Sequence, residues 1–115
     1  LKMYTIGITG QSVDEYDLSP AWDVTSAVYL QEFDVSDKET APTGVFFKSD
    51  GLKMYTIGDT VDEYDLSTAW NVSSSVYLQE YYVGDRESSP TGVFFKSDGT
   101  KMYTVGYSGQ YVLKY

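Results

Sequence analysis

The chain has 115 residues, 17 acidic against 8 basic, with no histidine and no cysteine, for a net charge of −9. That balance repels phosphate backbones and anionic lipid heads, so nucleic acid and membrane surfaces are not expected partners. The missing cysteines and histidines exclude disulfides, thiolate metal sites and the usual nucleophile–base triads; neither a phosphate-cradling Gly-x-x-x-x-Gly-Lys-Ser/Thr loop nor the run of about 18 apolar residues needed to span a bilayer occurs.

The chain opens mid-pattern at Leu1-Lys-Met-Tyr4, without an initiator methionine or a basic-then-apolar leader. This is expected of a processed product, an excised fragment or a partial reading frame, from which an export signal can have been lost. Lys2-Met-Tyr-Thr5 returns at Lys53–Thr56 and Lys101–Thr104, Asp14–Ser19 at Asp62–Ser67, and Pro42–Gly51 at Pro90–Gly99. Met54 and Met102 stand 48 residues apart, as do Tyr16 and Tyr64, whereas Met3 and Met54 stand 51 apart. The first copy therefore carries three extra residues near Ile8–Ser12. A period near 48 belongs with large supersecondary repeats, and the near-identity of the copies fits recent tandem duplication.

Tyr, Val, Phe and Thr dominate the runs, Gly and Ser-Asp clusters interrupt them, and no stretch sustains a helical apolar stripe. The unit reads as four strands, lettered a (Gly92–Lys96), b (Lys53–Ile57), c (Val61–Leu66) and d (Val76–Val83). The whole chain is one repeat domain with strands bcd over 1–36, abcd over 43–84 and abc over 91–115. Asp50-Gly51 and Asp98-Gly99 lie between aromatic runs and predict tight a-to-b turns, because glycine tolerates positive φ. The c-to-d connections contain the only two tryptophans, Trp22 and Trp70. Burying most of an indole is worth on the order of 2 to 3 kcal/mol, so these loops are expected to be pinned onto the sheet edge. The d-to-a links end in proline, which stops one strand and starts the next.

Both strand faces are apolar. In b, Met54 opposes Tyr55 and Ile57; in d, strict alternation sets Val76, Leu78 and Tyr82 against Tyr77, Tyr81 and Val83. Such sheets need a neighbour on each side.

The unit "TGVFFKSDGTKMYTVG…VDEYDLSTAWNVSSSVYLQEYYVG" resembles the blade repeat of β-propellers, near the group that includes the YVTN-type surface propellers. The resemblance covers the whole chain and implies an all-β fold of four-stranded antiparallel blades, with a innermost and d outermost around a channel. It favours an extracellular or particle-surface location and is silent on function, because propellers host enzymes, lectins and scaffolds. Ten strands make two and a half blades, where a closed propeller needs about four to eight, so closure by self-association is expected. Three sheets per chain would make a six-bladed dimer. Two per chain, with strand a completing a following bcd, would make a trimer or tetramer and leave Lys101–Tyr115 surplus.

Three sets of residues are site candidates. Asp14, Glu15, Asp17 and Asp62, Glu63, Asp65 offer paired carboxylates for glycoside chemistry, but they recur in step with the repeat and give way to Leu113-Lys114 in the third copy, which favours solvated or turn-bonding roles. Asp37-Lys-Glu39 and Asp85-Arg-Glu87 lack a Ca²⁺ loop's ligand density and read as local ion pairs. The b-to-c loops diverge while strand a is unchanged. Thr9, Gln11, Asp59, Tyr107, Gln110 and Tyr111 are therefore the candidate ligand-binding residues, the tyrosines stacking on and the glutamines hydrogen-bonding a glycan or peptide; simple loop drift is the bland alternative. The expected function is a non-enzymatic binding or structural module without metal or cofactor. A channel-mouth hydrolase or lyase is the alternative, with only Lys48 and Lys96 as charges on strand a; a fragment of a longer propeller is the third reading.

Overall fold

A computed structural model describes residues 1–115. The chain is all-β, with ten strands in three antiparallel sheets and no α-helix. The first sheet holds β1 (Lys2–Ile6), β2 (Ser12–Asp17) and β3 (Val28–Asp34); the second holds β4 (Gly44–Phe47), β5 (Lys53–Ile57), β6 (Thr60–Leu66) and β7 (Ser75–Tyr82). The third holds β8 (Pro90–Phe95), β9 (Met102–Gly106) and β10 (Val112–Lys114). Strands pair in chain order within each sheet, and the expected ranges of a to d hold to within two residues. The sheets do not close into a ring within the chain.

The β4–β5 and β8–β9 turns form as their sequence dictates. Gly51 and Gly99 both take φ 73°, and the preceding aspartates accept the next amide, Leu52 N–H on Asp50 Oδ1 at 2.9 Å and Thr100 N–H on Asp98 Oδ1 at 3.0 Å. Lys96 Nζ donates to Asp98 at 2.6 Å, and this bond, with those from Thr100, holds the Asp98 carboxyl down at about 2.

The second sheet is apolar on both faces, and each face builds a separate core. Met54, Tyr64, Leu66 and Val72 pack with Val13 and Val35 of the first repeat. Ile57, Val61 and Val83 form the other core, with Val93, Met102 and Tyr115 of the third sheet against it. Aromatic rings bridge both junctions: Tyr4 on Phe47 and Phe33 on Tyr64 at one, Tyr55 on Phe95 and Tyr81 on Tyr115 at the other.

Strict alternation fails in strand d. Gln79 pairs with Glu63 and Tyr77 with Tyr64, so Leu78 is an unopposed bulge residue; Leu30 plays the same part between Gln31 and Tyr29. The extra residue flips the phase of the strand. Tyr77 therefore packs toward the first sheet while Tyr81 meets Tyr115 of the third, correcting the expectation that they share a face.

The two tryptophan loops also differ from expectation and from each other. Each folds through a short 3-10 turn, Val24–Ser26 and Val72–Ser74, capped by the side chain of Asp23 or Asn71. Trp70 packs on Phe47 and over Gly51, as expected of a pinned loop, but Trp22 is 93% exposed. Within residues 1–115 no turn lies against Trp22 as the Gly51 turn lies against Trp70.

Candidate functional site

The candidate loops lie where the β1–β2, β5–β6 and β9–β10 turns meet the β3–β4 and β7–β8 links. Two glutamates in those links organise them. Glu39 is buried and accepts the amides of Ala41 at 2.9 Å and Asp59 at 2.8 Å. Glu87, also buried, accepts those of Ser89 at 2.9 Å, Ser108 at 3.0 Å and Gly109 at 2.6 Å. Their carboxylates sit against Gly58 and Gly106, where any Cβ would collide with them.

These contacts revise the ion-pair reading of the two links. Arg86 does approach Asp85, at 3.7 Å, but both are exposed, and Lys38 lies over the Tyr77 ring. The glutamates instead satisfy backbone donors that a loop would otherwise leave unpaired. The Ser89 amide foremost, with those of Gly109 and Ser108, holds the Glu87 carboxyl below its ordinary range against the opposing effect of burial. A sequence signal was present: Glu39 and Glu87, like Gly58 and Gly106, stand 48 residues apart.

The candidate residues fall into two groups. Gln11 Nε2 donates to the Thr40 carbonyl at 2.7 Å and Asp59 is anchored through its amide by Glu39, so both are fixed on the β3–β4 link. Thr9 is exposed in the turn before Gln11. Tyr107, Gln110 and Tyr111 are exposed on the β9–β10 turn, which Glu87 holds through Ser108 and Gly109. Gln11 and Gln110 occupy the same place in their loops and share a left-handed backbone, φ 53° and 58°.

The carboxylates of strand c make bonds within and between the sheets. Glu15 is 1% exposed and receives Lys2 Nζ at 2.8 Å, Gln31 Nε2 at 2.7 Å and the Val72 amide at 3.1 Å. Burial pushes its carboxyl up, but these bonds outweigh it and the net displacement is downward. Asp62 is fully buried, takes the Thr60 hydroxyl at 2.7 Å, and is displaced upward, first by burial and then by the nearby Glu39 and Glu80 charges. In the third sheet Leu113 replaces this aspartate opposite Thr104, whose buried hydroxyl has no partner.

Two clefts lie elsewhere. One of about 410 Å³ runs between the β4–β5 and β8–β9 turns, lined by Phe46, Tyr55, Phe94 and Phe95 with Lys48 and Lys96 at its mouth. The other, about 330 Å³, opens beside β7 over Tyr55, Glu63, Gln79 and Tyr81. No cluster of three or more acidic side chains is arranged to hold a metal ion. No known family model and no curated protein matches this chain.

Proposed function

We propose that the chain is a non-enzymatic assembly and binding module, a partial β-propeller whose sheets are blades and whose ring is completed by further copies. The observation that carries this reading is the contrast between the sheets. The second has a core on each face, whereas the outer two leave Tyr29, Val105 and Val112 exposed on their open faces, where the second sheet has Tyr77, Ile57 and Val61 packed against a neighbour. Stacked sheets of one repeat make each open face complementary to the face at the other end of the chain. Head-to-tail contact therefore satisfies both, and it closes when the rotation per sheet divides the circle.

The ring presents the β1–β2, β5–β6 and β9–β10 loops along one edge. Glu39 fixes the β5–β6 loop and Glu87 the β9–β10 loop, from which Asp59, Tyr107, Gln110 and Tyr111 project, and Thr9 projects from the β1–β2 loop that Gln11 ties to Thr40. Gln11 keeps only its Oε1 for a ligand. Exposed tyrosines beside amide side chains suit a glycan or a peptide, by stacking and hydrogen bonding.

Size-exclusion chromatography with light scattering tests the assembly. A concentration-dependent mass above 12.9 kDa is the expected result, and a folded monomer at every concentration would falsify the ring. Thermal-shift screening of glycans and peptides tests the rim, with Tyr107→Ala and Tyr111→Ala expected to abolish any shift found.

A further inference from the structure

The chain contains one complete docking of a tryptophan loop on a neighbouring sheet and the separate halves of a second, the loop in the first sheet and the receiving surface in the second sheet and the β8–β9 turn. The complete contact joins the first and second sheets. The Trp70–Ser74 loop sits on the first sheet, where Glu15 Oε2 accepts the Val72 amide at 3.1 Å, Gln31 Nε2 donates to Asn71 Oδ1 at 2.9 Å, and the Tyr4 hydroxyl donates to the Trp70 carbonyl at 2.5 Å. Trp70 also covers its own sheet's β4–β5 turn. Its amide donates to the Gly51 carbonyl at 2.9 Å, and a Cβ on Gly51 would strike the indole.

The receiving surface recurs one repeat on. Tyr55, Glu63 and Gln79 stand in the places of Tyr4, Glu15 and Gln31. Gln79 Nε2 donates to Glu63 at 2.8 Å and Lys53 Nζ to Glu63 at 2.6 Å, matching the bonds that Gln31 and Lys2 make to Glu15. No loop sits on this copy, and the cleft beside β7 lies over it. Gly99, the counterpart of Gly51 with the same φ of 73°, has nothing within 4 Å of its Cβ direction.

The matching loop is at the other end of the chain. Trp22-Asp-Val-Thr-Ser26 has the backbone of its docked counterpart, with φ 65° at both tryptophans and the same side-chain cap on the 3-10 turn. Val24 is nevertheless 69% exposed, where Val72 is fully buried. The docked loop projects from the face of its sheet opposite Glu63. By the repeat, the Trp22 loop projects from the face opposite Glu15, away from the second sheet and out of reach of Glu63 in its own chain.

We propose that the Tyr55–Glu63–Gln79 cradle and the Gly99 turn of one copy receive the Trp22–Ser26 loop of a second copy, with β8 of the first pairing with β1 of the second. This deepens the ring reading and rests on it for the assembly alone: the β1–β2 turn of the second copy takes the rim place of the displaced β9–β10 turn, so Thr9 and Gln11 stand there in place of Tyr107, Gln110 and Tyr111. The exchange displaces β9 and β10, and the letters allow it: β9 begins Lys101-Met-Tyr-Thr and β1 begins Lys2-Met-Tyr-Thr, so β8 can pair with either. A six-residue β2, whose Asp14 takes the Thr5 hydroxyl at 3.3 Å, replaces the three-residue β10, which leaves the Thr104 hydroxyl unpartnered. β3 and the tryptophan loop come with it. Each chain then supplies two four-stranded sheets, which points to three or four copies rather than two.

The test is light scattering over a concentration series, paired with tryptophan emission of Trp70→Phe, in which Trp22 is the only reporter. The expected result is a mass three or four times that of the chain and a blue shift of Trp22 emission that tracks it. Trp22→Ala removes a side chain exposed in the single chain, so it stays folded by circular dichroism, and it is expected to weaken association at least about tenfold, as loss of a central aromatic anchor does. Glu63→Ala acts on the other half of the contact and should weaken association as well. Assembly that is indifferent to Trp22→Ala and Glu63→Ala, with unmoved Trp22 emission, overturns this contact and leaves the ring reading standing. Absence of any assembly overturns both.

Discussion

Glu15 in β2 accepts the backbone N–H of Val72 at 3.1 Å across 57 residues of chain, and it is the buried carboxylate that ties the first sheet to the second. Lys2 and Gln31 bond the same group, so the charge is neutralised within its own sheet and the remaining lone pair is aimed at the neighbour. A buried carboxylate in such a position is specific: it fixes which loop can dock and in what register, where apolar packing alone would tolerate sliding.

Removing the Glu15 carboxylate leaves the Val72 amide and the Lys2 ammonium without their partner. Glu15→Ala is expected to cost about 3 kcal/mol in urea unfolding, and Glu15→Gln, which can still accept the amide, about half of that. Because the folded-state carboxyl is displaced downward, its contribution is present above the unfolded-state value of 4.5 and is lost as pH falls through the folded one. Stability measured against pH should therefore drop on the acid side in the wild type and be flatter there in Glu15→Gln.

Asp62 carries the opposite sign. Its carboxyl is fully buried with hydroxyl partners and no cation, and its displacement is upward, so ionising it works against the fold. Asp62→Asn keeps an acceptor for the Thr60 hydroxyl and is expected to stabilise the chain at neutral pH by about 1 kcal/mol. The gain should shrink on acidification, as the wild-type carboxyl protonates in the fold at a higher pH than it does in the unfolded chain, whose reference value is 3.8. A thermal melt series of both proteins against pH reads the difference directly.

The two Asp-Gly turns allow a clean comparison. Alanine at φ 73° costs about 1 to 2 kcal/mol wherever it is placed. At Gly99 that is the whole cost in the single chain, because the Cβ points into open space; at Gly51 the Cβ also meets the Trp70 ring at 2.5 Å. Gly51→Ala is therefore expected to lower the melting temperature at least twice as far as Gly99→Ala, with a change in Trp70 emission that Gly99→Ala does not produce.

Much of this was legible in the sequence because the repeat made it redundant. Asp-Gly between aromatic runs marked the turns, and apolar residues on both strand faces called for stacked neighbours, which Met54 and Ile57 met on opposite faces of β5. Three things were hidden. The bulge at Leu78 carries no glycine or proline, so alternation ran straight through it and put Tyr77 and Tyr81 on one face. The unequal fates of Trp22 and Trp70 depend on what lies against each loop, Phe47 and Gly51 for Trp70 and open solvent for Trp22, neighbours that the letters of the loop do not contain. Glu39 and Glu87 sit beside Lys38 and Arg86, which drew them into an ion-pair reading, while the glycines that receive them lie 19 residues further along the chain.

Glu87 supplies the last test, since it is the side chain on which the shape of the candidate rim depends. Three amides, from Ser89, Ser108 and Gly109, end on its carboxylate, and without it they have no partner within the loop. Glu87→Ala is expected to leave the strand pattern in far-UV circular dichroism unchanged, because no strand pairing passes through it. Amide hydrogen exchange at Ser108 and Gly109 should accelerate by about an order of magnitude or more, while exchange in β5 and β6 stays slow. The carboxyl is displaced downward, so the wild-type loop should show the same acceleration as pH falls from the ordinary value of 4.5 through the folded one, once the intrinsic pH dependence of exchange is removed. Slow exchange at Ser108 and Gly109 in Glu87→Ala would mean that the tyrosine-bearing turn is ordered by something other than this carboxylate.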